Sequence, residues 1–228
     1  MYFRQLFHQP TGTYTYLLAC EETRTAVIID PVLENTFQYI TLLEQLGLTL
    51  IYSIDTHTHA DHITALGELR DATGCSTLMG EYTEAQCVSE KVKDGQVIAV
   101  GQIRLKALYT PGHTNESFSF YTEGKVFTGD VLLIRGTGRT DFQGGDSGKS
   151  WDSINHQLFV LPDDTLIYPG HDYKGWTVSS IAEEKAYNPR LSGKTRDEYI
   201  GIMDNLNLPD PKMMDVAVPA NLRCGRDS

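Results

Sequence analysis

The sequence is poor in positive charge. It contains 19 lysines and arginines against 30 aspartates and glutamates, which gives a formal net charge of −11 over 228 residues. A chain with this excess of acid has no basic surface with which to coat nucleic acid or an anionic membrane. We therefore expect no nucleic-acid partner and no membrane partner. Any anionic ligand must be captured by a few well-placed cations.

Cysteine is scarce, and no C-x-x-C pair occurs. The four cysteines are scattered along the chain, at Cys20, Cys75, Cys87 and Cys224. A chain of this length buries a core without staples, so the scatter predicts reduced thiols in a cytoplasm-like compartment. A basic leader followed by an apolar stretch is also lacking, as is any run of 18 apolar residues. We expect a cytoplasmic location, or an organelle matrix if a transit peptide has been removed.

The composition is that of a globular protein, with 40% hydrophobic and 21% charged residues. Alternating apolar residues predict strands at 2–7, 14–20, 25–30, 48–54, 103–109, 117–121 and 125–128. Helical spacing predicts helices at 34–46, which Gly47 would end, and at 61–72, 151–159, 178–186 and 195–206. Five glycines mark residues 135–150, which we interpret as an ordered loop rather than a linker.

The strongest motif is H-x-H-x-D-H, which runs from His57 to His62. It follows an apolar strand and precedes the helix predicted at 61–72. Side chains alternate along a strand, so His57 and His59 project to the same side, while Asp61 and His62 leave from the first helical turn. Four metal-binding side chains would then face one volume. The motif therefore favours a metal site over a polar loop that is rich in histidine by chance.

Three further candidate ligands each follow an apolar run. His113 and His171 come after Thr-Pro-Gly and Tyr-Pro-Gly turns, and Asp130 follows the strand that starts near Lys125. Ligands on loops at strand ends, held by a rigid scaffold, provide the fixed geometry that a metal site needs. An isolated aspartate after glycine is more often a turn residue, but the accompanying histidines favour a ligand.

In this order and context, the candidate ligands resemble the signature of the metallo-β-lactamase superfamily: His57, His59, Asp61, His62, His113, Asp130 and His171. The resemblance extends roughly from Gly12 to His171. It implies an α/β fold, a four-layer αββα sandwich with the metal at one edge of two facing sheets. It also implies a single domain over residues 1–228, with a short C-terminal extension from about 175.

Finer features resemble the persulfide dioxygenases of that superfamily. These features are RGTGRTDFQGG at 135–145, PGHDY at 169–173, YNPR at 187–190 and VPANLRCG at 218–225. The resemblance implies oxidation of glutathione persulfide by O2, with water, to sulfite and glutathione at a mononuclear non-haem iron. It also suggests a homodimer, and a sulfurtransferase or a quinone-dependent sulfide-oxidising enzyme as a partner that supplies the persulfide.

By this resemblance, His57, His113 and Asp130 are the ligands of one Fe(II) per chain. Two imidazoles and one carboxylate leave open positions on iron for substrate sulfur and O2. Zinc, the alternative metal, has no redox change available. The remaining members of the signature would orient the ligands and manage protons, or would form a second metal site: His59, Asp61, His62 and His171.

Two other functions remain open on the sequence alone. All seven residues of a dinuclear site are present, so a hydrolase of glutathione thioesters that resembles glyoxalase II is the alternative. Against it, only 57 residues follow His171, and the 135–145 loop fits the dioxygenases better. A catalytically silent binding protein is the weaker alternative, because no metal position has been lost.

The resemblance also implies substrate contacts. Glutathione carries two carboxylates, which Arg139 and Arg190 would bind through paired hydrogen bonds, although either arginine would also serve as a structural brace. Tyr173 and Thr114 would donate hydroxyl groups near the sulfur, and Cys224 would lie near the pocket. Asp61 or His171 would assist the hydrolytic step as a general base, beside Tyr173.

Overall fold

In a computed structural model, which describes residues 1–209 and 213–226, two six-stranded β-sheets face each other. The first sheet has the order β1-β2-β3-β4-β5-β6, in which the first two pairings are antiparallel and the rest parallel. Its strands are β1 (Tyr2–His8), β2 (Thr13–Ala19), β3 (Thr25–Ile29), β4 (Thr49–Ile54), β5 (Ser76–Gly80) and β6 (Glu90–Val92).

The second sheet has the order β14-β13-β10-β9-β8-β7, and only the pairing of β10 with β13 is parallel. Its strands are β7 (Val97–Val100), β8 (Ile103–Tyr109), β9 (Phe118–Thr122), β10 (Lys125–Gly129), β13 (Leu166–Pro169) and β14 (Ser179–Ser180). A separate two-stranded ribbon lies between β10 and β13 in the chain, with strands β11 (Leu132–Leu133) and β12 (Gly136–Thr137).

Helices cover both outer faces. They are α1 (Thr36–Leu46), α2 (Leu66–Thr73), α3 (Ser147–Ser153), α4 (Ile181–Tyr187), α5 (Arg196–Asp204) and α6 (Met214–Asn221), with a 3-10 turn at Leu33–Asn35 and a π-helical turn at Ile154–Leu158. The predicted helix end at Gly47 is confirmed, because this glycine has a φ of 58° in the left-handed region. None of the helices in the described residues is long and apolar enough to cross a bilayer.

Three apolar clusters hold the layers together. Tyr16 and Val27 of the first sheet pack with Phe127 of the second. Tyr39 of α1 and other helical side chains cover the outer face of the first sheet, and Tyr199 of α5 belongs to the cluster that covers the second. Burial of these apolar faces drives the layering. The predicted four-layer αββα sandwich is confirmed.

The second helix begins later than the sequence predicts. The pattern placed it at 61–72, but α2 covers Leu66–Thr73. The backbone before it pairs with residues 31–33 instead: Leu33 N donates to Ile63 O, and Ala65 N donates to Pro31 O, both at 2.8 Å. Asp61 and His62 therefore lie in a loop, not in a helical turn. Contacts distant in sequence outweighed the local helical pattern.

The expectation of reduced thiols is wrong for two of the four cysteines. Cys87 and Cys224 form a disulfide, with a sequence separation of 137. Cys20 and Cys75 are free and buried. Sequence rules for cysteines identify pairs that lie close together in the sequence. They do not identify this bond, which joins Cys224 to Cys87 in the segment before β6.

Candidate metal centre

The candidate ligands come from loops that follow strands of both sheets. His57 follows β4 of the first sheet, whereas His113, Asp130 and His171 follow β8, β10 and β13 of the second. The structure brings ligand atoms of His57, His113 and Asp130 within 4.8 Å of one another. The three residues that the resemblance implies as iron ligands therefore lie close together, whereas His59, Asp61 and His62 of the motif form a separate group.

Hydrogen bonds outside the cluster fix which nitrogen of each imidazole is free. His113 Nδ1 lies 2.7 Å from Arg139 O, and because a carbonyl oxygen only accepts, Nδ1 is the donor. Thr56 Oγ1 donates to Asp30 Oδ2 at 3.0 Å, so it accepts from His57 Nδ1 at 2.9 Å. In its neutral form each ring therefore carries its proton on Nδ1 and presents Nε2 to a metal, and His113 Nε2 lies 3.6 Å from Asp130 Oδ2.

The charges of His57 and Asp130 also suit a cation. Burial, together with the neighbouring histidines His59 and His113, holds the pKa of His57 well below its usual value. Burial opposes ionisation of Asp130, but His171 and the other histidines lower the pKa of its carboxyl. Two neutral imidazoles and one carboxylate form a donor set that binds Fe(II) or Zn(II). The residues present therefore fit a resident metal.

His171 bridges two carboxylates. Its Nδ1 lies 2.7 Å from Asp130 Oδ1, and its Nε2 lies 2.8 Å from Asp61 Oδ2. Burial opposes a charge on the imidazole, but Asp130 and Asp61 raise the pKa of His171 well above its usual value. His62 Nδ1 joins the network at 3.0 Å from Asp61 Oδ2. This group can hold and pass a proton beside the metal ligands.

His59 faces a different pair of acids. Its Nε2 lies 3.2 Å from Asp30 Oδ1 and 3.9 Å from Asp55 Oδ1, and all three residues are buried. Burial opposes its charge, but Asp30 and Asp55 raise the pKa of His59 to about 9. In the described part of the chain, His59 Nδ1 and His62 Nε2 are buried without a hydrogen-bond partner. With Asp61 they form a second cluster of possible ligands, but Asp61 is already engaged by His171.

A cavity of about 510 Å³ opens onto this centre. Asp61, His113, Asp130 and His171 line its base, and Arg139, Tyr173 and Arg190 line its walls. Three of the five predicted substrate contacts therefore reach the cavity.

The two arginines of the wall have different partners. Arg139 pairs with both carboxylate oxygens of Asp141, at 2.7 and 2.8 Å, and Nη1 donates to Pro209 O at 2.7 Å. Arg190 Nη1 donates to Thr137 O at 2.6 Å. No ion pair of Arg190 with an acid occurs among the described residues.

The structure does not bring Thr114 or Cys224 to the cavity wall. The Thr114 hydroxyl is buried and lies 2.7 Å from Ser117 Oγ. Cys224 is buried beside Leu66 and Met79, in the disulfide with Cys87. Tyr173, by contrast, is 75% exposed at the cavity and stacks on the His171 ring with centroids 5.9 Å apart.

Several residues of the site were not among those predicted from the sequence, although Arg135 and Asn221 lie in the 135–145 and 218–225 segments noted above. Lys174 and Arg135 also line the cavity. The hydroxyl oxygen of Thr13, in β2, lies 3.1 Å from His171 Nε2. Buried Glu116 accepts from Thr58 N at 2.7 Å, and Asn221 bonds to the motif loop. A contact that joins distant segments leaves no spacing pattern. For Lys174, the neighbouring Pro-Gly-His-Asp-Tyr segment offered the one available signal.

Comparison with known proteins matches residues 8–171 to the family model of the metallo-β-lactamase superfamily. The mitochondrial persulfide dioxygenase ETHE1 of Mus musculus is 47% identical over 225 residues, which cover 97% of this chain and 88% of that protein. The crystal structure of ETHE1 from Myxococcus xanthus superposes with a TM-score of 0.97 at 54% identity, covering 99% of this chain and all of that one. A hydroxyacylglutathione hydrolase of Rhodospirillum rubrum is 34% identical over 72% of this chain and 63% of that protein.

Proposed function

This chain belongs to the metallo-β-lactamase superfamily, and we propose that it is a persulfide dioxygenase, which oxidises glutathione persulfide with O2 and water to sulfite and glutathione. The observation that carries the proposal is similarity to ETHE1 persulfide dioxygenases over nearly the whole chain. The hydroxyacylglutathione hydrolases that this chain resembles are less similar, with 34–37% identity over a smaller share of this chain. The cavity above the His57, His113 and Asp130 cluster supports the same function.

The metal that we propose is one Fe(II) per chain, held by His57, His113 and Asp130, with zinc as the alternative. Bound there, iron would supply the redox change that a reaction with O2 requires and that zinc lacks. The chain's own part is to hold the Nδ1 proton of each imidazole in a hydrogen bond to Thr56 Oγ1 or Arg139 O, so that Nε2 faces the metal, and to keep Asp130 ionised.

Other residues would bind the substrate and move protons. Arg190 would hold a carboxylate of glutathione, with Arg139 and Tyr173 on the same cavity wall. We assign the proton transfers that accompany release of sulfite to Asp61 and His171, which share a hydrogen bond of 2.8 Å. His59 and His62 would steady this network from the buried side.

We extend the proposal to the molecule's setting: a homodimer in the cytoplasm or an organelle matrix, supplied by a sulfurtransferase or a quinone-dependent sulfide-oxidising enzyme. The persulfide substrate named for its relatives supports a supplier of persulfide, and their mitochondrial location supports the organelle matrix. The Cys87–Cys224 disulfide is unusual for a reducing compartment, so its state in a cell extract is the direct check on location.

One experiment tests the reaction. The purified protein is assayed for metal content per chain, and for O2 uptake and sulfite release with glutathione persulfide. Hydrolysis of a glutathione thioester is measured alongside. We expect about one iron per chain, with sulfite formed as O2 is consumed. Two metals per chain and thioester cleavage without O2 uptake would overturn the proposal in favour of the hydrolase.

A further inference from the structure

The side chain of Asn221, at the end of α6, is buried against the loop that carries the H-x-H-x-D-H motif. Its Nδ2 donates to His59 O and to His62 O, at 2.9 Å each, and its Oδ1 accepts from Thr64 N at 2.9 Å. Only 2% of the residue is exposed. One amide therefore satisfies three backbone groups of a loop that has no helix or sheet to satisfy them.

The residues that follow Asn221 pack closely against the motif loop and the first turn of α2. Gly67 N donates to Cys224 O at 2.9 Å. Gly225 has a φ of 79°, and a Cβ added to it would lie 1.9 Å from Thr64 O, so only glycine fits there. The disulfide to Cys87 attaches this segment to the body of the protein. These contacts fix the position from which the Asn221 amide reaches the loop.

The three hydrogen bonds of Asn221 hold the loop that carries His57 and Asp61. The two carbonyls that Asn221 binds belong to residues on either side of Asp61, and His57 lies two residues before the first of them. Without the amide, these buried backbone groups would lack partners, and the loop would move to find others. A shift of the loop would displace His57 and Asp61 relative to the residues of the second sheet.

We propose that Asn221 is a positioning residue for the metal centre: it holds the 57–64 loop, which carries a ligand, in the conformation that binds metal. The inference rests on the proposed metal centre, but not on which reaction that centre catalyses. Substitution of the groups that support metal ligands typically weakens metal affinity by about 10- to 100-fold. We expect a loss of that size when the Asn221 amide is removed.

The test compares Asn221→Leu with a matched variant, Asn188→Leu. Asn188 is also buried, its Nδ2 donates twice, to Gly136 O and Glu184 Oε2, and its Oδ1 accepts from Arg190 N. These hydrogen bonds of Asn188 do not involve the segment from His57 to His62. Fe(II) or Co(II) affinity is measured by competition with a chelator. Amide hydrogen exchange of the 57–65 segment is measured in the metal-free protein.

We expect Asn221→Leu to bind metal about 10- to 100-fold more weakly and to exchange faster at 57–65, and Asn188→Leu to do neither. Unchanged affinity in a folded Asn221→Leu protein would overturn the inference, as would an equal loss in both variants. If Asn221→Leu does not fold, Asn221→Ser carries the same comparison. Wild-type protein that binds metal but forms no sulfite would contradict the dioxygenase alone, and the affinity comparison would still decide the role of Asn221.

Discussion

His57 and His113 each keep the Nδ1 proton in a hydrogen bond that points away from Asp130. The acceptors are a threonine hydroxyl, whose own hydrogen is given to Asp30, and the carbonyl of Arg139. Each ring is therefore fixed as the tautomer with a free Nε2. The proposed ligand atoms are thus selected by Thr56 and by the Arg139 carbonyl, neither of which belongs to the proposed ligand set.

The first prediction concerns Asp130, the anionic member of the cluster. We expect Asp130→Ala to lose metal and sulfite production together, because no neighbouring carboxylate replaces the lost ligand without giving up its bond to His171. Metal per chain and turnover are the measurements. Asp163→Ala, at an exposed aspartate that pairs with Lys185, is the control. Full turnover and retained iron in Asp130→Ala would show that the ligand assignment is wrong.

The second prediction ranks Arg190 and Arg139, two of the three arginines that line the cavity. A hydrogen bond to a charged group is worth about 1.5–3 kcal/mol, so Arg190→Ala should raise KM for glutathione persulfide about 10- to 100-fold, with a smaller effect on kcat. Arg139→Ala should also raise KM, but less, because Asp141 already occupies two of its donors. Arg196→Ala, at a surface arginine that pairs with Asp152, serves as control. Equal KM values in all three variants would contradict the assignment.

The third prediction concerns Glu116, which joins the motif loop to the segment after His113. Its Oε1 accepts from Thr58 N, its Oε2 is buried without a partner in the described residues, and burial raises the pKa of its carboxyl. The neutral form fits this site, so Glu116→Gln should keep activity. Glu116→Ala should lose about 2–3 kcal/mol of the free energy of unfolding. Steady-state kinetics measure the activity of Glu116→Gln, and denaturant titration measures the stability of Glu116→Ala.

The pH dependence provides a check on Glu116. Because its pKa is raised in the folded state, the folded protein binds more protons than the unfolded chain above the ordinary glutamate pKa of about 4.3. Stability must then fall as the pH rises through the raised pKa. Relative to Glu116→Gln, the wild type should become less stable with rising pH. A difference that does not change with pH would contradict a raised pKa.

At the scale of elements, the C-terminal helix is tied to the body of the protein at two places. Asn221 binds the motif loop, and three residues later Cys224 is joined to Cys87, before β6. The loop and the tail therefore support each other, although they are far apart in the chain. The late start of α2 belongs to the same arrangement, because the backbone of residues 63–65 pairs with residues 31–33.

The fourth prediction tests the disulfide. A bond that closes a long loop restricts the unfolded chain, so Cys87→Ser should lower the free energy of unfolding by about 2–4 kcal/mol under non-reducing conditions. Denaturant titration with and without reductant measures the change. Reductant should lower the free energy of unfolding of the wild type toward that of Cys87→Ser. It should not change the free energy of unfolding of Cys87→Ser. A wild-type midpoint that reductant does not move would contradict the prediction.

At the scale of the whole molecule, the site lies across the two sheets, because His57 comes from the first and His113 and Asp130 from the second. A bound metal would therefore cross-link the sandwich. The molecule is acidic overall, yet four cations line its cavity: Arg135, Arg139, Lys174 and Arg190. Arg135 and Arg139 form ion pairs with acids, so among the described residues Lys174 and Arg190 are the two of these cations with no ion pair to an acid, and we expect them to attract an anionic ligand. We also propose one domain, with the part from about 175 as an extension, because β14 pairs with β13.

The fifth prediction concerns metal removal. A ligand that binds the folded state alone stabilises it by about 2.7 kcal/mol at a hundredfold excess over its Kd. We therefore expect a chelator to lower the thermal midpoint of the wild type, and added Fe(II) to restore it. Asp130→Ala, which lacks one ligand, should respond to neither. An equal response of the two proteins would place the stabilising metal elsewhere.

Much of the fold was predictable because it repeats a local pattern. The strands at 2–7, 14–20, 25–30 and 103–109 and the helix ending at Gly47 are found close to where the periodicity places them. The H-x-H-x-D-H motif and two Pro-Gly-His turns mark the metal centre for the same reason: residue type and spacing are both visible in one short stretch. The chain's acidity likewise follows from composition alone.

What only the tertiary structure decided involves partners that are distant in sequence. The start of α2 at Leu66, the disulfide between Cys87 and Cys224, the support from Glu116 and Asn221 and the tautomers of His57 and His113 all depend on such contacts. These contacts are favourable because they satisfy buried polar groups and pack distant segments together. Neither effect produces a periodic pattern in the sequence. The sequence by itself determined which residues we propose as metal ligands, and the folded chain determined which contacts hold those residues in place.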